Sequence, residues 1–367
     1  MSSSANAATA PIRVDANKLV GVVADIFAAL GIEAGSARIV AEDLVLADLE
    51  GVGSHGVMLL PMYVERLQKG SVSKESAGAI VVDNRTSVVI DAHHALGQLT
   101  AHQAVGLVTS RAREYGMATV AVRNAFHFGT AGRYARLIAS HGCIGIVMSN
   151  TRPLLPAPGG AEAITGNNPI AFAVPSSGTH PVEVDMALSA TAMGKIRLAA
   201  AAGKPIPADW AMAADGSPTT DPNEAIKGML APAAGPKGFG LAFIIDLLCG
   251  GLSDGAIGAD VRPLYGDASQ PYRCSQLFLA LDVKNFTDPK AFAERVNEQA
   301  QRVSRSKRAP GIERIYAPGE LAYATREGNA GTVTLSRQTF DSFVAAAKSA
   351  GVQVEPLLQG SDRRGQT

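Results

Sequence analysis

The sequence is poor in charge, in aromatic side chains and in cysteine, and each shortage excludes something. Charged residues make up 18% of the 367 positions, and 33 Lys and Arg balance 33 Asp and Glu. A chain with no excess of either sign lacks the field that draws proteins onto phosphate backbones or anionic lipid, so neither nucleic acid nor membrane is an expected partner. With 47% hydrophobic residues, the low charge also excludes a disordered chain. The three cysteines, Cys143, Cys249 and Cys274, are odd in number and lack CxxC spacing, which leaves no disulfide framework and no structural zinc site. Cys143 and Cys249 lie in apolar runs and are expected to be buried. The longest apolar run, Phe239 to Leu252, contains Asp246 and is shorter than the roughly 20 residues that cross a bilayer. Residues 1–12 read as a disordered tail rich in Ser and Ala, not as a signal peptide. The expected compartment is the cytoplasm.

Common chemical motifs are also wanting. No G-x-G-x-x-G turn and no G-x-x-x-x-G-K-[ST] loop follows an expected strand, so neither a Rossmann fingerprint nor a P-loop is present. No G-x-S-x-G elbow joins a strand to a helix, and H-E-x-x-H does not occur.

What is there alternates helix and strand. Leu19, Val22, Val23, Ile26, Phe27 and Leu30 recur at helical spacing, with Gly31 as a stop. Ser36 can cap a second helix, and a third runs from Val57 to Gln68. Residues 80–82 and 88–90 form an expected hairpin. A helix over 101–115, a strand over 118–122, a helix over 131–140 and a strand over 144–148 follow, as in an α/β domain. Further on come strands at 170–174 and 182–184, a helix from Ser189 to Ala202, a buried helix from Phe239 to Leu252, a strand at 277–281 and a helix from Asp288 to Ser304. Residues 360–367 read as frayed. Helices at both ends flank a β-rich middle, so the termini are expected to pack together.

Five segments carry chemistry. Gly53-Ser54-His55-Gly56 is a tight turn that projects an imidazole titrating near neutrality beside a hydroxyl, a pair able to give or take a proton; the alternative is a helix cap. Arg123 to Gly132, with His127, Gly129, Thr130 and Ala131, lies where a buried strand ends and a helix begins, an edge where free N–H groups suit phosphate. Ser149-Asn150-Thr151 and Gly166-Asn167-Asn168-Pro169 are small polar loops after a buried strand, open to close approach of a ligand. Asp185-Met186-Ala187 leads through Ser189 to Gly194-Lys195. Lys237-Gly238 puts a cation in a glycine turn before a helix, to meet a diphosphate or simply water.

Taken in order, these segments resemble the type-2 malate/L-lactate dehydrogenase family, which includes ureidoglycolate and sulfolactate dehydrogenases and the Δ1-piperideine-2-carboxylate/Δ1-pyrroline-2-carboxylate reductases. The resemblance runs from about Leu19 to Leu335. It rests on Ser54-His55-Gly56-Val57 with Tyr63 and Gly70, on Asn167-Asn168-Pro169-Ile170-Ala171, on Asp185-Met186-Ala187-Leu188-Ser189, on Pro218-Thr219-Thr220-Asp221-Pro222, on Lys237-Gly238 and on Pro318-Gly319-Glu320. It implies an α/β fold with a mixed, mainly antiparallel, non-Rossmann sheet, NAD or NADP as cofactor, and a homodimer with the site near the subunit boundary. It further implies a helical substrate domain from 13–120 plus 305–360 and a cofactor domain over 121–304. His55 would be the proton donor and Ser54 its relay. His127, Gly129, Thr130, Ala131, Ser149, Asp185, Met186, Ala187, Lys237, Gly238 and Glu320 would line the cofactor. Tyr63 and Asn167 would meet the substrate.

Two positions depart from the family pattern. The Arg that usually grips the substrate carboxylate is Leu59, and a customary Thr is Asn167. Arg152 and Lys195 are candidate replacements for the missing cation. The expected reaction is hydride transfer between nicotinamide and C2 of a small 2-oxo or 2-hydroxy acid. Reduction of a cyclic imino acid is the close alternative. A non-catalytic ligand-binding paralogue is the alternative of another class.

Overall fold

The computed structural model describes residues 10–354 and Leu357. Residues 1–9 of the expected tail, and the frayed end at 360–367, lie outside the described residues. Ile12, assigned to that tail, instead opens a strand.

Strand β1 (Ile12–Asp15) feeds helix α1 (Ala16–Ala29), whose first turn is capped by the Asp15 carboxylate accepting from the Lys18 N–H. Glu33 caps α2 (Ala34–Leu49) in the same way, on the N–H groups of Gly35 and Ser36. The chain then makes two single 3-10 turns, Gly53–His55 and Val57–Leu59, before α3 (Leu60–Lys69). Gly70 ends that helix in the left-handed region at φ 75°, where a side chain is strained. The middle of the chain holds β2 (Ala79–Asn84), β3 (Ser87–Asp91), α4 (Gly97–Tyr115), β4 (Met117–Ala125), α5 (Ala131–Ser140), β5 (Cys143–Ser149), β6 (Ile170–Val174) and β7 (Val182–Met186). Then follow α6 (Met193–Ala201), α7 (Pro222–Lys227), α8 (Pro236–Asp246), β8 (Cys274–Asp282), α9 (Pro289–Ser304), α10 (Glu320–Asn329), β9 (Thr332–Leu335) and α11 (Arg337–Ser349).

Seven strands form one sheet in the order β2-β3-β4-β8-β5-β6-β7, with β3 and β4 parallel and every other neighbouring pair antiparallel. Alternation along the strands sorts side chains between two cores. Val120, Val122, Phe278 and Ala280 face a large cluster shared with α1, α2, α4 and α5. Ala121, Leu277 and Ile170 face a smaller one with Ile196 of α6 and Ala242 of α8.

The ends of the chain meet: β1 pairs antiparallel with β9, Ile12 opposite Leu335, and Gln68 of α3 donates to the Ser349 carbonyl at the end of α11. The expected boundary at 120/121 does not divide the sheet. The 79–91 hairpin pairs with β4, and the terminal helices share one apolar cluster with the sheet.

Two local expectations are corrected. The expected helix from Ser189 starts only at Met193, because Ala190 N–H donates to Ala231 and the Ser189 hydroxyl to the Thr191 carbonyl, which hold 189–192 in a turn. The buried helix expected over 239–252 is α8 continued by a π-helical turn at Leu247–Gly251, and only one side is covered. Leu241, Phe243, Ile244, Leu247 and Leu252 are 39–59% exposed; a run apolar on every side gives periodicity nothing to sort. The spellings G-x-G-x-x-G and G-x-S-x-G do occur, at 51–56 and 251–255, but each follows a helix.

Candidate active site

The turn between α2 and α3 is built around a buried carboxylate. Asp48 Oδ2 accepts from the Val57 N–H at 2.8 Å, and a Cβ on Gly56 would lie 2.2 Å from the same carboxyl group. Only glycine lets the backbone lie that close. Burial pushes the Asp48 carboxyl up to about 7. Above it, Ser54 Oγ and His55 Nδ1 are hydrogen-bonded at 2.9 Å, which leaves Nε2 of His55 as the nitrogen available to a ligand. Burial lowers the His55 pKa below its usual 6.5.

His127 stacks on His55, centroids 5.5 Å apart. Its Nδ1 accepts from the Gly129 N–H at 3.3 Å and lies 2.9 Å from the Tyr63 hydroxyl, which in turn accepts from Gln98 Nε2 at 2.9 Å. An accepting Nδ1 places the remaining ring proton on Nε2. Burial, with the neighbouring His55, lowers His127 to about 3, so it is a neutral imidazole.

His55 and His127 border a cavity of about 330 Å3. Of the residues expected from sequence, Gly129, Ser149, Asn167 and Ala187 also line it. Thr151, Ser189, Thr191, Ala192, Tyr272 and Cys274 complete the polar and apolar wall together with Phe128 and Pro169; Thr191 and Ala192 were hidden inside an expected helix, and Tyr272 had no local signal. Among the described residues, no Lys or Arg lines this cavity. Leu59 is 2% exposed and packs in the large core, Tyr63 is fully buried behind His127, and Arg152 and Lys195 are exposed outside the wall.

A larger groove of about 780 Å3 adjoins it, also bordered by His55, Gly129 and Ala187, with Thr130, Ala131, Asp185 and Met186. Here Arg136 is clamped between two carboxylates, Nη1 on Glu183 at 2.9 Å and Nη2 on Glu50 at 2.9 Å. The α5 N-terminus, expected to offer free N–H groups to phosphate, is partly taken: Gly132 N–H donates to Asp185 Oδ2 at 2.8 Å. Glu320 borders a third cavity of about 230 Å3, with His180, Ser304 and Arg305. Its carboxylate accepts from the Ala317 N–H and the Ser304 hydroxyl, both at 2.9 Å. Lys237 is exposed and Gly238 buried at the start of α8, and neither borders these three cavities.

The sequence profile of the family described as Malate/L-lactate dehydrogenase matches residues 14–343. The chain belongs to that family. It is 33% identical over 351 residues to malate dehydrogenase of Pyrococcus horikoshii, covering 93% of this chain and 96% of the relative. It is 32% identical over 321 residues to (2R)-3-sulfolactate dehydrogenase (NADP(+)) of Chromohalobacter salexigens, covering 88% and 94%. Ureidoglycolate dehydrogenase (NAD(+)) of Escherichia coli strain K12 is 33% identical over 290 residues, covering 79% and 82%. Among solved structures, sulfolactate dehydrogenase of Methanocaldococcus jannaschii aligns with a TM-score of 0.89 at 30% identity, over 95% of this chain and 100% of that one. The Δ1-piperideine-2-carboxylate reductase of Pseudomonas syringae aligns at 0.81 and 27%, over 91% and 99%.

The protein is therefore an NAD(P)-dependent oxidoreductase with the mixed, mainly antiparallel sheet of this family, and a purely ligand-binding paralogue is set aside. All three cavities border β7 or its flanks. No described helix is long and apolar enough to cross a membrane.

Proposed function

We propose that the protein interconverts a small 2-oxo acid, malate-, lactate- or sulfolactate-like, and its 2-hydroxy acid, with His55 moving the proton. The observation that carries the reading is that one imidazole borders both the small cavity and the long groove. A substrate in the first and a nicotinamide in the second would meet beside it. When bound, the nicotinamide gives or takes a hydride at substrate C2. In reduction, His55 Nε2 gives its proton to the carbonyl oxygen, while Ser54 accepts from Nδ1–H and holds the ring. In oxidation, neutral His55 takes the hydroxyl proton. His127, neutral with Nε2–H, presents a donor on the same side without adding charge. Asp185, Met186 and Glu320 are proposed to line the cofactor, and Asn167 to meet the substrate.

Reduction of a cyclic imino acid is a second reading, favoured by the apolar Phe128 and Pro169 and the Tyr272 ring in the wall of the small cavity. One experiment separates the two. Binding of NADH and NADPH is followed by nicotinamide fluorescence, and oxidation is then recorded with a panel of 2-oxo acids and cyclic imines. Turnover with oxo acids is expected; turnover with imines alone would move the assignment. His55→Ala is expected to lower turnover by about 10²-fold or more with cofactor affinity retained, and an unchanged rate would remove His55 from the chemistry.

The exposed apolar stripe of α8 supports a homodimer formed through that helix. The three buried free cysteines fit a reducing compartment, and we propose the cytoplasm.

A further inference from the structure

Both proposed substrate classes carry a carboxylate at C2, and the small cavity that would receive it presents no Lys or Arg among the described residues. A carboxylate can still be held by neutral donors that face it and have no other partner. Two residues on separate segments of the wall meet that condition. Tyr272, on the loop that leads into β8, is 5% exposed and lines the cavity. Its hydroxyl makes no hydrogen bond among the described residues, and unlike Thr191 Oγ1 it is not sealed from probes. Burial raises the Tyr272 pKa well above 10, so the phenol keeps its proton and stays a donor. The positive charges of Arg152 and Arg66 reach it from outside the wall and favour an anion beside it. Asn167, just before β6, lines the same cavity. Its Oδ1 accepts from the Thr151 hydroxyl at 3.0 Å, which orients the amide and leaves Nδ2 as a donor without a partner among the described residues. That nitrogen is not sealed either. The loop of Tyr272 has no strand ladder of its own and is held from α3. Arg66 makes five hydrogen bonds, four of them to the carbonyls of Pro263, Leu264 and Gln270. The Tyr272 ring then rests edge-on against Phe126, centroids 6.1 Å apart.

We propose that the Tyr272 hydroxyl and the Asn167 amide grip the substrate carboxylate, in place of the arginine that Leu59 replaces. The inference rests on the oxidoreductase reading above and assigns the residues that orient its substrate. His55 borders the same cavity, so the grip and the proposed proton donor act on one small molecule. Asn167 stands where the family pattern has Thr, and its amide offers two N–H groups where a hydroxyl offers one. Both donors are neutral, so the wall buries no unpaired charge before substrate arrives. Tyr272 and Asn167 are thus specificity-determining residues: they select an acid over the amide of the same shape.

The test measures binding rather than turnover. Protein saturated with whichever of NADH and NADPH it takes up is titrated calorimetrically with two matched pairs: oxamate against neutral oxamide, and pyrrole-2-carboxylate against pyrrole-2-carboxamide. The wild type is expected to prefer one acid over its amide by about tenfold or more. Tyr272→Phe keeps the ring and is expected to weaken that acid by about tenfold or more, with the amide changed by less than about threefold and nicotinamide affinity unchanged. Asn167→Asp puts a carboxylate where the donor was and is expected to weaken the acid at least as much. An acid that binds Tyr272→Phe as tightly as wild type overturns the grip while the oxidoreductase reading stands. So does a loss of acid and amide in step, which a merely structural role for the ring would give, or a wild type that binds both equally. Nicotinamide uptake with neither acid bound overturns the grip and the substrate assignment together, and no nicotinamide uptake overturns the cofactor assignment as well. If Tyr272→Phe does not fold, Asn167→Asp decides, and an acid affinity equal to wild type is the overturning result.

Discussion

The rings of His55 and His127 stack with centroids 5.5 Å apart and planes inclined by 27°. Two imidazoles so close and so poorly hydrated resist charging, and both are held below the usual histidine value, His127 at about 3. The base form of His55 therefore persists to lower pH than for an exposed histidine. In the direction that oxidises a hydroxy acid, kcat/KM is expected to stay level as pH falls to 6.5 and to drop only below it. Reduction is expected to rise over that same lower range. A profile of kcat/KM between pH 4.5 and 8 checks this, and an oxidative midpoint at or above 6.5 contradicts it.

Tyr63 touches the cavity only through His127. Tyr63→Phe removes the acceptor of Gln98 Nε2 and the hydroxyl 2.9 Å from His127 Nδ1, leaving a buried donor unmade. Urea unfolding is expected to show a loss of about 1–3 kcal/mol, with kcat lowered more than the affinity for nicotinamide. An unchanged kcat would free His127 from dependence on this chain of hydrogen bonds.

Asp48 is a carboxyl with its pKa raised from 3.8 to about 7 by burial. Its folded value exceeds its unfolded one, so folding favours the protonated form. The stability this gives is complete below pH 3.8 and is lost as pH rises through 7. Asp48→Asn keeps an oxygen for the Val57 N–H and cannot ionise. The melting temperature of the variant minus that of wild type is expected to grow from pH 5 to pH 8. A difference that is flat across this range would mean that Asp48 is ionised throughout.

The stripe of Leu241, Ile244, Leu247 and Leu252 gives the proposed dimer a direct check. Ile244→Glu is expected to convert a dimer of about 76 kDa to a monomer by light scattering, because a charge in the middle of an apolar contact stays unpaired. A wild type that runs as a monomer would remove the interface.

Much of this site was legible in the sequence because glycine and histidine punctuate it. Gly53 and Gly56 bracket Ser54-His55, and a buried strand ending before His127 marks a sheet edge. Asp48 was not legible: Ala47-Asp48-Leu49 reads as a solvated position on a helix until the chain folds back and lays Val57 on its carboxylate. Thr191 was hidden by helical composition on both sides, and the turn that frees it depends on Ala231, distant in sequence. The family resemblance points Leu59 and Tyr63 at the substrate, but both side chains are buried in the large core. The missing arginine could be read from the sequence.

The ribbon of β1 and β9 joins Ile12 to Leu335. A ribosome releases Ile12 long before its mate exists, so β1 stays unpaired until Leu335 has emerged. For that interval the newborn chain carries a bare strand edge that any extended segment could pair with.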